Sequence, residues 1–348
     1  MAKMRAALCL EPRKLDIVEL DRPQPGPGQV VVQVKASGVC GSDVDGFFGT
    51  HPWIGYPIVL GHECSGIVDK IGDCVDRFKP GDPVVVEPFS VCEMCPACQR
   101  GQYNLCKNIE IIGHGIQGSF AEYICMDERF LHPLPENVSM EEGSLVEPVS
   151  GSLHAVGRCN LKIGDFVILM GFGTIGYFTA QHVLNSGARL LVSEQDPRKR
   201  DTAKKMGAQF VLDPTRESLE ERVLDLTDGV GADCVIEAVG DPNTLLLTTA
   251  LARKGGKIML IGWTGKGPVP FDLCKVTLDE MTVLGTMGFA WDFPTSLRLL
   301  SERKVDAASI ITHRYRLDQV VEAIETLHHK KDGIWKALIL FDESRAGL

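Results

Sequence analysis

Two short stretches bring together residues that can bind a metal: Cys40-Gly41-Ser42-Asp43 and Leu60-Gly61-His62-Glu63-Cys64. A thiolate, an imidazole and a carboxylate so arranged can hold a zinc ion and still leave it a position for water or substrate. That open position separates a catalytic zinc site from a structural one closed by four Cys or His ligands. Taken singly, Cys40 reads as a small buried residue and His62 as a hydrogen-bonded core histidine. Two other patterns in the same chain weigh against the single readings.

The first is Cys92-x-x-Cys95-x-x-Cys98-x7-Cys106. Four thiolates in a short loop close a tetrahedral shell and leave no room for substrate, which describes a structural zinc. Its effect is to fix a long excursion that lacks a core of its own. An iron–sulfur cluster also takes four cysteines, but at other spacings. A nucleic-acid-binding zinc ribbon wants basic surroundings, whereas Glu93 and Glu110 frame this loop. The other cysteines (Cys9, Cys64, Cys74, Cys125, Cys159, Cys234 and Cys274) stand alone in apolar contexts and read as core residues.

The second is Gly171-Phe172-Gly173-Thr174-Ile175-Gly176, which follows a buried-strand run and opens a helix. A lone G-x-G-x-x-G is weak, and this context is what gives it meaning. Gly171 permits the tight turn, Gly173 lets the backbone approach a pyrophosphate, and Gly176 allows close helix–strand packing. The helix start at Thr174 and Ile175 offers free N–H groups to the phosphates. About twenty residues on, the next strand ends at Glu194, where a carboxylate can bind the ribose 2′-OH and repel a 2′-phosphate. The cofactor is therefore expected to be NAD. Arg198, Lys199 and Arg200 follow closely; they either soften that preference or simply open a solvated helix.

These residues need a scaffold. A chain of 348 residues suits two domains. It is 44% hydrophobic and 24% charged, the balance of a soluble globular enzyme. A formal charge of −10 argues against a nucleic-acid or acidic-membrane partner. No apolar run approaches the roughly twenty residues of a membrane span. Met1-Ala2-Lys3-Met4-Arg5 leads into a strand-like run rather than the apolar region of a signal peptide, so a cytoplasmic location is expected. The twelve cysteines then meet a reducing compartment, and their clustering points to metal rather than disulfides.

The first third of the chain has short apolar or alternating runs at 4–10, 15–20, 30–36, 65–71, 82–86 and 120–126, separated by Pro/Gly punctuation. Such runs predict a compact barrel-like β domain. Near Glu147 the rhythm changes, and strands follow at 166–170, 190–192, 210–212, 234–236, 257–261 and 282–284. Helices at 175–186, 197–206, 217–226 and 244–253 alternate with them, which predicts a doubly wound sheet. The tail carries helices at 296–303 and 317–327 and a last strand at 337–341.

Cys40 with His62-Glu63, the four-cysteine loop and the fingerprint ending in Glu194 occur in an order that resembles the zinc-dependent medium-chain dehydrogenase/reductase family over essentially the whole chain. The resemblance implies an α/β protein: a GroES-like β-rich catalytic domain over 1–150, a Rossmann domain with a doubly wound parallel sheet over 151–289, and a return to the catalytic domain over 290–348. It implies two zinc ions per chain, one catalytic on Cys40, His62 and a third protein ligand, and one structural on Cys92, Cys95, Cys98 and Cys106. Glu147-Pro148, with Gly-His-Glu upstream, resembles the sorbitol (polyol) dehydrogenase branch. There the Glu after the His can ligate zinc, while the junction Glu holds the zinc-bound water or exchanges with it. Glu63 and Glu147 are thus assigned to the site jointly.

The implied chemistry is oxidation of a secondary alcohol, with zinc lowering the alcohol's pKa and a hydride passing to the nicotinamide. Ser42 stands where the family passes the proton outward; otherwise it is a turn-capping serine. Relatives carry a His where this chain has Asp45, so the outer end of the proton path or the substrate pocket is expected to be altered. Phe47, Phe48 and Trp53, and likewise Phe289 and Trp291, either wall the pocket or pack. Lys336 is placed by analogy at a cofactor phosphate. The expected substrate is a polyol, sugar or cyclitol, with threonine and 2,3-butanediol as rivals and a non-catalytic cofactor-binding role as a remote third. Residues 281–287 are expected to pair across a two-fold axis into a homodimer or homotetramer.

Overall fold

The computed structural model describes residues 2–263, 265 and 267–341. The chain divides into two compact units: one runs up to Pro148 and resumes at Ala290, and the other is Val149–Phe289.

The first unit is organised on the strand Gln29–Gly38, whose Val30, Val31, Val32 and Val34 are all buried. β-Branched side chains suit a pleated surface covered on both faces. Antiparallel to it lie Glu63–Ile71, Tyr123–Asp127 and Lys336–Leu340. The sheet continues outward through Pro83–Val86 and Leu131–Pro133 on one side and Ile311–Arg316 on the other. Val39, Phe47, Leu60 and Phe120 share one core with Tyr315, Val320, Ile324 and Ile339, so both ends of the chain build it.

In the second unit six parallel strands lie in the order Phe210–Leu212, Arg189–Ser193, Phe166–Met170, Ala232–Glu237, Ala252–Leu260, Thr282–Gly285. Phe166–Met170 is buried at every position, as a continuous apolar run requires between two helical layers. Counted along the chain the order is 3-2-1-4-5-6. It reverses beside Phe166–Met170, so the loop leaving that strand sits at the topological switch point.

Several elements differ from expectation. The helix Gly41–Phe48 was hidden by two glycines and two aspartates, poor helix formers in a short segment. It forms because Asp43 closes a capping box on Cys40 and Gly49 ends it at φ 77°. The helix Val146–Cys159 tolerates Pro148 because that residue lies in its first turn. The division of the chain into compact units falls between Pro148 and Val149, within this helix. The strand Ile311–Arg316 escaped notice because charged residues interrupt its apolar pattern. Of the cysteines expected in the core, Cys74 and Cys274 are instead exposed.

Candidate active site and cofactor loop

Cys40 is the N-cap of the helix Gly41–Phe48, and His62 follows a Gly61 turn at φ 92°. Glu63 opens the strand Glu63–Ile71, opposite Gly38. The ligand atoms of Cys40, His62 and Glu63 all lie within 4.8 Å of one another, a donor set of sulfur, nitrogen and oxygen that fits zinc. One buried carboxylate braces two of the three. Asp43 Oδ2 accepts Cys40 N–H at 2.8 Å, and Oδ1 accepts Gly61 N–H at 2.9 Å and lies 3.5 Å from His62 Nδ1. Burial alone lowers the pKa of His62, but the Asp43 carboxylate outweighs it and holds the imidazole well above its usual value. An imidazole that turns one nitrogen to a carboxylate leaves the other free to ligate.

Lys336 belongs to this centre, not to a cofactor phosphate as the resemblance suggested. Its side chain is 2% exposed, and Nζ lies 2.8 Å from Glu63 Oε1, 2.6 Å from Oε2 and 2.9 Å from the Val39 carbonyl. Burial disfavours the charged lysine, but the Glu63 carboxylate more than compensates and raises its pKa. Gly38 is required here: a Cβ would stand 2.0 Å from Glu63 Oε2 and 3.1 Å from Lys336 Cε.

Glu147 lies in the first turn of Val146–Cys159, outside the group of three ligands. It sits deep but is still reached by solvent. Desolvation raises its pKa to about 7, with His62 opposing and Glu63 adding to the shift. Ser42 Oγ is buried and has no hydrogen-bond partner among the described residues. Asp45 Oδ1 accepts the Thr50 hydroxyl at 3.2 Å. Two histidines that sequence reasoning passed over stand nearby, His114 and His51. Their rings lie 4.7 Å apart, and that of His114 is 4.9 Å from His62. Phe47 packs in the core, Phe48 against His328, and Trp53 is exposed. Phe289 is buried, while Trp291 is exposed and donates Nε1–H to the Gly101 carbonyl at 2.8 Å.

In the cysteine lobe, Cys92, Cys95, Cys98 and Cys106 form the second group of candidate ligands. Sulfur separations of 3.6 Å (Cys95–Cys98) and 3.4 Å (Cys92–Cys106) approach the roughly 3.8 Å edge of a tetrahedron with 2.3 Å zinc–sulfur bonds. Backbone N–H groups of Cys98 and Lys107 lower the Cys95 thiol to about 6, while burial and the neighbouring sulfurs push Cys98 up to about 12. The lobe is anchored through Tyr103, which donates to Glu87 Oε1 at 2.6 Å and accepts Trp291 N–H at 2.8 Å; Glu87 Oε2 is shared with His132 Nε2 at 2.8 Å. Tyr103→Phe is expected to destabilise the first unit by about 1–3 kcal/mol, since Glu87 is left short of a buried donor. A urea titration, with metal release to a chromophoric chelator, measures this.

The glycine loop lies at the switch point. Gly171 has φ 90°, and a Cβ there would meet Val239 Cγ2 at 2.8 Å; a Cβ on Gly176 would meet the Gly171 carbonyl at 2.2 Å. A Cβ on Gly173 meets nothing within 4 Å, which is the opening a pyrophosphate needs. Thr174 and Ile175 begin the helix Thr174–Asn185 capped by Gly173. Glu194 accepts Phe172 N–H on Oε2 and Asp196 N–H on Oε1, both at 2.8 Å, so it also braces the loop. Arg198 is paired with Asp196 at 2.8 Å, and Arg200 with Asp213 at 3.0 Å.

Residues 26–136 match the alcohol dehydrogenase GroES-like domain and residues 174–302 the zinc-binding dehydrogenase domain. The chain belongs to the zinc-binding alcohol dehydrogenase family. It is 31% identical to a sorbitol dehydrogenase of Bacillus subtilis, over 97% of each chain, and 34% identical to an L-threonine 3-dehydrogenase of Pyrococcus horikoshii, over 91% of this chain and 93% of that one. Among solved structures it resembles a putative zinc-binding dehydrogenase from Sinorhizobium meliloti bound to NADP, with a TM-score of 0.92 and 29% identity, over 98% of this chain and all of that one. As a zinc-binding alcohol dehydrogenase the chain is an oxidoreductase, built from a GroES-like unit and a Rossmann-type parallel sheet. Among its described residues no helix is long and apolar enough to cross a membrane.

Sequence reasoning missed Asp43, Gly38 and His114 at the centre and placed Lys336 elsewhere. Asp43 carried a readable signal, the Cys40-x-x-Asp43 spacing of a capping box. Lys336, Gly38 and His114 carried none, because each matters only through neighbours distant in sequence.

Proposed function

We propose that this zinc-binding alcohol dehydrogenase oxidises a secondary hydroxyl of a polyol, sugar or cyclitol to a ketone with NAD. Glu147 carries this reading: a deep carboxylate in the electrostatic field of His62, Glu63, Lys336 and Asp43. A carboxylate at this junction is the feature that resembles the polyol branch, and the 31% identity to a sorbitol dehydrogenase supports it. Cys40 and His62 are the metal ligands in this reading, with Glu63 or Glu147 as third, and the four cysteines of the lobe hold the structural ion. A zinc ion at the first site supplies a Lewis acid for the substrate's hydroxyl oxygen. Ser42 Oγ, buried and without a hydrogen-bond partner among the described residues, accepts the substrate hydroxyl's proton while passing its own on toward solvent. Asp45, fixed by Thr50, cannot continue the path as an imidazole does.

The test is turnover of NAD with a panel of polyols, inositols, threonine and 2,3-butanediol, before and after chelation. Chelator-sensitive turnover led by polyols or cyclitols is expected; a preference for threonine would move the chain to the threonine dehydrogenases. Glu194 supports NAD over NADP. Glu194→Ala is expected to weaken NAD by at least about tenfold, through the lost ribose contact and the loosened Phe172 turn. NADP, which the carboxylate repels, loses less, and equal losses remove the basis for the preference. For assembly, the strand Thr282–Gly285 lies at the sheet edge with Val283 exposed, which supports pairing into a homodimer or homotetramer. A monomer by light scattering excludes that. Four clustered thiols read as zinc ligands, Cys92, Cys95, Cys98 and Cys106, support a reducing, cytoplasmic location.

A further inference from the structure

Two carboxylates beside His62 are engaged within the protein. Asp43 spends its oxygens on Cys40, Gly61 and His62, and Glu63 is held by Lys336. His114 differs. It is 9% exposed and its ring touches that of His62, yet its hydrogen bonding amounts to a long contact of Nδ1 with the Ile112 carbonyl at 3.4 Å. Its Nε2 makes no such contact and is not among the fully buried unpartnered atoms, so it is open to a ligand. An imidazole nitrogen left open beside the candidate metal ligands can hydrogen-bond a bound substrate.

The backbone is shaped to deliver this ring. A Cβ on Gly113 would stand 2.6 Å from the Gly61 carbonyl oxygen, and one on Gly118 would stand 2.4 Å from it. Ser119 N–H donates to the Gly61 carbonyl at 2.9 Å and Gly118 N–H to that of Val59 at 2.8 Å. Residues 113–119 therefore lie backbone against backbone on the turn that presents His62, an approach only glycine permits. From the other side, Thr50 N–H and His51 N–H both donate to the Asp45 carbonyl, at 2.9 and 3.3 Å, which fixes the segment that brings His51 against His114.

We infer that His114, backed by His51, is a specificity-determining residue that hydrogen-bonds the hydroxyl on the carbon next to the reacting carbinol. The inference rests on the polyol reading and narrows it to substrates with vicinal hydroxyls. With Nδ1–H turned to the Ile112 carbonyl, a neutral imidazole leaves Nε2 bare, an acceptor for the proton of a substrate hydroxyl. A site built to hydrogen-bond a substrate hydroxyl rejects the analogue lacking it far more strongly than an apolar pocket discriminates by size.

2,3-Butanediol and 2-butanol differ only in the neighbouring hydroxyl. The wild type is expected to prefer the diol in kcat/KM by at least about a hundredfold. His114→Phe, which keeps a ring for packing, is expected to reduce that preference below about tenfold by losing activity on the diol, with 2-butanol changed by less than about threefold. His114→Gln should recover part of the loss. A readout independent of turnover is titration of the NADH complex with acetoin and with 2-butanone, following NADH fluorescence. The wild type should bind acetoin more tightly, and His114→Phe should bind both alike. An equal fall on diol and mono-alcohol, an unchanged preference, or wild-type binding of acetoin no tighter than of butanone overturns the inference. Failure of the polyol reading is distinguishable, because it shows in the wild type alone as the absence of polyol turnover.

Discussion

Replacing Lys336 by methionine is expected to destabilise the first unit by about 3–5 kcal/mol, the cost of leaving a buried carboxylate without its counter-charge. The pair is almost wholly inaccessible, with side chains 2% and 1% exposed, so water cannot take over the lysine's role. Methionine fills a similar volume and isolates the electrostatic loss from a cavity. For a unit of this size the thermal midpoint should fall by roughly 6–20 °C. Two controls separate this from general damage. Lys336→Met with Glu63→Gln should regain most of the loss, because the uncompensated charge is gone. Zinc should stabilise the single variant more than the wild type, because a cation in the adjacent site takes over neutralisation of Glu63 and no longer faces the lysine. Calorimetry with and without zinc measures both; a midpoint within about 2 °C of wild type in zinc-free protein would remove Lys336 from the centre.

That lysine also marks the limit of what the sequence can say. Phe166–Met170 was legible because an unbroken apolar run between two helical layers has one structural solution, and the glycine loop after it inherits its place from the strand. Cys40, His62 and Glu63 were legible as metal-binding types at suggestive spacing. Lys336 was not. It reaches Glu63 because Lys336–Leu340 lies beside Gln29–Gly38 in the sheet, and because Gly38 carries no side chain to block the way. Neither fact leaves a local trace. His114 is hidden in the same way, since Gly113 and Gly118 read as loop punctuation until their contact with Gly61 is known. Local pattern reports the ladder and its turns, and the pairing of strands decides which buried charges meet.

The second large effect concerns Asp43, which joins two ligands that the sequence presents as separate. Asp43→Asn keeps the shape and removes one acceptor: the amide oxygen can serve Cys40 N–H or Gly61 N–H, and its NH2 then faces the other donor. The N-cap at Cys40 and the turn before His62 can no longer both be satisfied. The imidazole also loses the carboxylate that holds its pKa up and turns its ligating nitrogen toward the site. Loss of one such supporting partner typically weakens metal binding 10–100-fold. Because Asp43 supports two ligands, the loss is expected at or above the upper end of that range, with the cysteine lobe keeping its ion. Competition with a chromophoric chelator should then resolve one weakened and one unchanged zinc per chain, and chelator-sensitive turnover should fall in step with occupancy. Weakening of both ions together would mean that Asp43→Asn acts by loosening the whole unit. Retention of both would mean that Cys40 and His62 are positioned without Asp43, leaving their 4.8 Å convergence to the backbone alone.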